Sequence, residues 1–232
     1  MCKNLVIHTI RTFRRMIRLP VSKDNFLFNR ERLEYSEDFL FISRFKKNSR
    51  RGTGTVMETW EIPLMQKHVD LLDVKDKNVL EIGFGMGISA DMIQKAGPKS
   101  HTIIESHPDV INYYHEKYPY KETTTLIMDF WQNVIMNLDK FDCIFFDTHM
   151  DVIEDFFNIV DLKLNEGGKF TFFHWENFHK DYVDYNVERY PFDYEMVFIE
   201  GGTKKGTCMV PLYTKTSTSK FNKDYKIFLP QS

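Results

Sequence analysis

Apolar and polar positions along this chain switch repeatedly between strand-like runs and helical spacing. Val79, Leu80 and Ile82 form a short apolar run of the buried-strand kind, and Gly83, Gly85 and Gly87 follow at once. From Ile88 the pattern (ISADMI) resumes at helical spacing. His101–Ile104 is a second apolar strand closing on Glu105, Pro108–Tyr118 a helix, Thr123–Met128 a third strand and Phe141–Phe146 a fourth. Asp151–Leu164 reads as a helix, Gly167-Gly168 as a turn and Lys169–His174 as a fifth strand. Tyr194–Glu200 and Thr207–Tyr213, either side of Gly201–Gly206, read as an antiparallel pair. Five alternating βα units followed by a strand pair predict an α/β fold. Its doubly wound sheet has seven strands, mostly parallel with an antiparallel strand near the C-terminus.

Upstream, Met57, Trp60, Leu64, Met65, His68, Leu71 and Leu72 recur at helical spacing over Val56–Leu72, with Pro63 in the first turn. Residues 1–55 are patterned more weakly. They hold a short basic amphipathic helix (Arg11, Arg14, Arg15, Arg18), a break at Pro20 and a polar loop at Lys46–Gly54. The expected organisation is a basic, partly helical extension or lid over 1–55 and a main domain over 56–232. Lys215–Lys223 reads as a linker and Tyr225–Leu229 as a candidate edge strand.

Composition narrows the class. With 232 residues, 42% hydrophobic and 28% charged, the chain can bury one sizeable core. Cys2, Cys143 and Cys208 are scattered and show no metal-ligand spacing, so a reducing, cytoplasmic setting is expected. No apolar run reaches membrane-spanning length and no signal-peptide core opens the chain. The net charge of −2 hides an asymmetry: residues 1–55 hold 13 Lys/Arg against 5 Asp/Glu, a net of +8. A helix lying over the acidic remainder accounts for this better than a membrane contact, and four arginines fall short of a nucleic-acid footprint.

The chemistry concentrates at strand ends, where doubly wound sheets bind ligands. A strand, a glycine turn and a helix begin a nucleotide-binding βαβ unit. The spacing here is G-x-G-x-G, with Ile88 where a dinucleotide enzyme carries its third glycine. Glu105, 22 residues past Gly83, can accept hydrogen bonds from ribose hydroxyls, with Ser106 beside it. Asp129, Phe130 and Trp131 close the third strand, where an aromatic face suits adenine as well as it suits a core. Asp147 ends the fourth strand, partly desolvated at the ligand edge, and is the candidate catalytic carboxylate. His149 beside it is a second base or a hydrogen-bonding residue, and Trp175 and Glu176 follow the fifth strand.

Glu81-x-Gly83-x-Gly85-x-Gly87 resembles motif I of the class I S-adenosylmethionine (SAM) methyltransferases, which have a Rossmann-like sheet. In that motif Glu81 stands near the cofactor's cationic end, and Phe84 and Met86 belong to the cofactor turn. Val56-Met57-Glu58-Thr59-Trp60-Glu61-Ile62-Pro63-Leu64-Met65, taken with Phe145-Phe146-Asp147-Thr148, is similar to guanidinoacetate N-methyltransferase. It is more distantly similar to arginine δ-N-methyltransferases. The similarity runs from about Val56 to Lys215.

The resemblance implies that Met57, Trp60 and Met65 build the SAM site and that Glu61 and Asp147 together grip a guanidinium. Carboxylates match its planar fork bidentately. Two departures bear on the acceptor. His149-Met150 stands where the family has Tyr-Pro, and Glu176 lies where the family places groups that hold the substrate carboxylate. A glutamate there would repel a carboxylate and welcome an amino group, which sets a longer guanidino compound such as arginine, or one lacking a carboxylate, beside a guanidinoacetate-like acceptor. The expected partner is a small guanidino or amino-acid substrate, with the protein a monomer or homodimer. An NAD-dependent oxidoreductase and a non-catalytic SAM-binding protein with a basic targeting segment are the competing readings.

Overall fold

The computed structural model describes residues 31–35, 39–44, 53–117, 122–148, 153–174, 181, 184–197 and 203–216. The expected basic helix at Arg11–Arg18, the polar loop up to Gly52, His149, Trp175, Glu176 and the candidate strand at Tyr225–Leu229 lie outside them.

The main sheet has seven strands. β4 (Asn78–Ile82) is central, with β5 (Ser100–Glu105) and β6 (Thr124–Met128) on one side. On the other side lie β7 (Phe141–Phe146), β8 (Leu164–Phe172), β10 (Thr203–Lys215) and, at the edge, β9 (Tyr185–Val197). The pairs from β6 to β8 are parallel, and β10 runs antiparallel to both its neighbours. Successive residues of each central strand feed opposite layers. Val79, Ile103, Cys143 and Phe145 join one core, packed with α1 (Ile62–Leu72), α2 (Ile88–Ala96) and α3 (Pro108–Lys117). Leu80, Ile82, Ile104, Ile144 and Phe146 join the other, which Trp131, Ile135 and α5 (Ile153–Lys163) complete. Between these lies the short α4 (Trp131–Val134).

Three expectations need correction. Val56–Leu72 is not one helix: Thr53–Glu58 is a strand, β3, then Thr59–Glu61 makes a 3-10 turn and only Ile62 begins α1. β3 pairs with β2 (Phe39–Arg44) and β2 with β1 (Glu31–Tyr35) in a separate antiparallel sheet, and that tertiary pairing overrides the helical spacing. Pro63, which cannot donate a backbone hydrogen bond, suits the first turn of the helix that follows. β3 therefore runs across the expected division at 55/56. Gly167-Gly168 is not a turn between elements but lies inside β8. There Gly167 takes φ +73° and the pairing with β7 skips register between Phe141 and Cys143. The C-terminal hairpin strands start earlier than expected, so Gly206 sits within β10 rather than in a turn. No described helix is long and apolar enough to cross a membrane.

The buried face of α1 is Leu64, Met65, His68, Val69 and Leu72. His68 is the polar member, and the reason lies in the sheet beneath it. Pro211 sits in interior strand β10, and its carbonyl accepts the Thr171 hydroxyl at 2.5 Å. With that proton committed, Thr171 Oγ1 accepts from His68 Nδ1 at 2.8 Å, which fixes the imidazole tautomer. Burial pushes the His68 pKa down to about 3, so the ring is neutral at ordinary pH.

The linked stability effect has a definite sign. Below the unfolded value near 6.5 the unfolded chain takes up a proton that the folded chain refuses until about pH 3. Stability conferred by the neutral ring is therefore present above pH 6.5 and lost as pH falls. In urea titrations, wild type should lose up to about 1.4 kcal/mol per pH unit more than His68→Gln between pH 6 and 4. The variant should be the less stable protein at pH 7.

Candidate functional site

Strand order reverses between β4 and β7; the glycine turn and Asp147 follow the carboxyl ends of those two strands, with Glu105 closing β5 and Asp129 following β6. The backbone makes the junction. Asp147 N donates to Ile82 O at 2.9 Å and Gly83 N to Ile104 O at 2.9 Å, so the glycine turn leaves the sheet tied to strands on both sides. Gly83, Gly85 and Gly87 hold φ of +89°, +55° and +75°, which L side chains rarely adopt. At Gly83 space is a second constraint: a Cβ there would lie 1.8 Å from the Asp147 carbonyl oxygen. Gly87 is the N-cap of α2, and the Asp91 amide donates to its carbonyl at 2.9 Å.

Glu105 holds this turn in shape. Its Oε2 accepts the Phe84 amide at 2.9 Å and its Oε1 the His107 amide at 2.7 Å. Burial pushes the Glu105 carboxyl above its ordinary pKa, opposed by the amides of His107, Phe84, Ser106 and Gly85, which favour its charged form. Asp129 Oδ1 accepts the Phe130 amide and the Asn133 side-chain amide, both at 2.7 Å, and so orders the start of α4. Trp131 packs edge-on against Phe146 and Phe156 in the second core, while Phe130 stays half-buried at the strand end.

Glu81 is fully buried, one residue before the end of β4. Its Oε1 accepts the Ser89 hydroxyl from α2. His101 Nε2 lies 2.8 Å from Oε2, bent off the line of a hydrogen bond, while Gln94 Nε2 donates to His101 Nδ1 at 2.8 Å. Ser89, Gln94 and His101 are site-supporting residues that the sequence reading did not single out. Their signal was there, since an acid inside the run Leu80-Glu81-Ile82 requires buried partners.

Asp147 carries the distinctive electrostatics. Burial, then the nearby Glu81 charge, raises its carboxyl to about 7. The next residue, Thr148, has a buried hydroxyl oxygen with no hydrogen-bond partner among the described residues. A polar atom of that kind at a ligand edge fits a bound group that completes it.

From the other side, β3 brings Met57 onto the glycine turn. Met86 N donates to Met57 Sδ at 3.3 Å, and Met57, Met65, Phe84 and Met86 share one core cluster. The same sulfur would lie 3.0 Å from a Cβ on Gly85. Glu61, 6% exposed, precedes the first turn of α1, and Trp60 beside it meets Tyr194 of β9 with ring centroids 5.9 Å apart. Positive-φ glycines, an acid closing the second strand and a thioether against the turn together suit a nucleoside-bearing cofactor. Gly83→Ala, with φ and space both against it, should cost about 2–5 kcal/mol of stability, read as a lowered urea midpoint with unchanged slope.

The guanidinoacetate N-methyltransferase family model matches residues 50–168, just over half of the chain. The chain is 31% identical over 190 residues to protein arginine N-methyltransferase 2 of Candida glabrata, covering 73% of this chain and 44% of that protein. To the Saccharomyces cerevisiae protein of the same name it is 35% identical over 155 residues, covering 61% and 36%. The chain thus spans less than half the length of these curated relatives. Among solved structures, precorrin-6y C5,15-methyltransferase from Geobacter metallireducens superposes with a TM-score of 0.52 at 15% identity. It covers 66% of this chain and 88% of that one, a likeness of fold alone. With the Val56–Met65 block, the glycine turn and Asp147 all inside the matched stretch, the chain belongs to the guanidinoacetate N-methyltransferase family of class I SAM-dependent methyltransferases.

Proposed function

We propose that this chain is a SAM-dependent N-methyltransferase that methylates a nitrogen of a small guanidino compound of the arginine type. The observation that carries the reading is Asp147: its backbone lies directly against the glycine turn at the switch point, and its carboxyl is raised to about 7. SAM would supply the electrophilic methyl group, and Met57, Gly83–Gly87, Glu105 and Asp129 are the residues that would hold it.

The remaining work falls to side chains of this chain. A guanidinium is a planar fork of donors with a pKa above ~12, so its nitrogens carry no free amine-like lone pair at neutral pH. Asp147, with Glu61 from the start of α1, is suited to grip that fork and align one nitrogen. As that nitrogen gains a carbon it must shed a proton, and a desolvated carboxylate of near-neutral pKa is matched to accept it. Glu176, where the family holds a carboxylate, supports an acceptor with an amino group at the far end. The relatives' name, protein arginine N-methyltransferase 2, supports an arginine-type acceptor too, either as the free compound or as a side chain in a protein. β3 runs from the N-terminal sheet onto the glycine turn through Met57, which supports a lid role for residues 1–55. The free, buried thiols of Cys143 and Cys208 support a cytoplasmic setting.

Labelled SAM incubated with guanidinoacetate, free arginine and an arginine-containing peptide should label free arginine above the others. Transfer to the peptide alone would move the acceptor to protein arginine, and transfer to none of the three would overturn the guanidine assignment. With the true acceptor, kcat/KM should rise with pH through about 7 as Asp147 ionises. Asp147→Asn should flatten that limb and cost about 10²–10⁴ in rate while SAM binding persists.

A further inference from the structure

The C-terminal hairpin overhangs the ligand edge of the sheet. β10 pairs with β8 at Tyr213↔Phe170 and Thr214↔Lys169, so residues 203–210 of β10 run past the carboxyl end of β8. β9 accompanies β10 along its whole length, with Tyr194 opposite Gly206. Beyond β8 the hairpin has no sheet neighbour on its inner side among the described residues.

The overhang rests instead on the segment that carries Glu61. Trp60 meets the Tyr194 ring at 5.9 Å, and Lys67 Nζ stands 4.9 Å from the centroid of Tyr190 on the same face of β9. Seven residues from Trp60 to Lys67 rise about 11 Å and four from Tyr194 to Tyr190 about 13 Å, so the two elements lie side by side and antiparallel. Gly206 shows that the ring's place is built in. A Cβ at 206 would lie 2.6 Å from Tyr194 Oη and 2.7 Å from Cζ. Unlike the glycines of the cofactor turn, Gly206 does not occupy the positive-φ region. Glycine stands there for space, because the Tyr194 ring folds across the β10 backbone toward Trp60.

We propose that Tyr194, seated over Gly206 and against Trp60, is a positioning residue for the acceptor site: it fixes the Thr59–Glu61 turn and with it the Glu61 carboxylate. Glu61 sits on a single 3-10 turn between β3 and α1, and no side-chain hydrogen bond caps the helix it precedes. The Trp60–Tyr194 contact holds the neighbouring residue of that turn, and so bears on where the Glu61 carboxylate lies. The inference deepens the guanidine-methylating reading and rests on it for the role of Glu61. The glycine turn is held separately by backbone hydrogen bonds to the ends of β5 and β7.

Three variants test it: Tyr194→Ala removes the ring, Tyr194→Phe keeps it, and Gly206→Ala displaces it while leaving tyrosine in the chain. Tyr194→Ala and Gly206→Ala should each raise the acceptor KM by about tenfold or more while the dissociation constant for SAM changes less than about twofold. Tyr194→Phe should behave as wild type. Hydrogen exchange of the peptide covering residues 56–64 is the readout that needs no substrate. It should speed up in Tyr194→Ala and Gly206→Ala and be unchanged in Tyr194→Phe. Unchanged exchange in Tyr194→Ala and Gly206→Ala overturns the inference whatever the acceptor. Altered exchange with wild-type acceptor KM also overturns it, since the turn would then move without consequence. If wild type methylates no guanidino compound, the function reading fails, and exchange alone decides whether Tyr194 holds the turn.

Discussion

The contact between Gly83 and the Asp147 carbonyl is the constraint on which this site depends. The chain leaves β4 toward α2 in one layer and β7 toward α5 in the other, and the turn after β4 crosses close to the end of β7. The absent side chain at Gly83 makes that crossing possible, since a Cβ would sit 1.8 Å from an oxygen. One contact thus places the cofactor turn and the candidate catalytic carboxylate side by side.

Around this junction the structure uses buried polar groups as spacers. Glu105 spans from β5 to the Phe84 amide, Glu81 spans from β4 to Ser89 on α2, and His68 spans from α1 through Thr171 to the Pro211 carbonyl. Glu81 contributes twice, because its charge also raises the Asp147 carboxyl. Glu81 and the candidate catalytic Asp147 are thereby electrostatically linked.

Much of this was legible beforehand where periodicity and glycine chemistry are local. β7 coincides with the apolar run Phe141–Phe146, and Glu105 closes β5 as its position required. The misread segments share a cause. Val56–Glu58 carries helical spacing but pairs with Leu40 and neighbouring residues far up the chain, and that pairing partner is invisible from within the segment. β9 begins at Tyr185, nine residues before the expected start, because an edge strand alternates exposed acids with half-buried aromatics instead of forming an apolar run. Trp131 was legible as an aromatic at a strand end, but whether it faced a ligand or Phe156 depended on an element more than twenty residues away.

The sequence by itself determined the sheet class, the glycine turn and the family, because glycine spacing and an acid at a fixed distance are constraints within one βαβ unit. The tertiary structure alone decided which carboxyl acquires an unusual proton affinity, which tautomer His68 holds and why Gly206 is a glycine. Each of those is set by an atom brought close in space from a distant part of the chain. Desolvation, hydrogen-bond commitment and steric clearance all depend on such neighbours, and no local pattern encodes them.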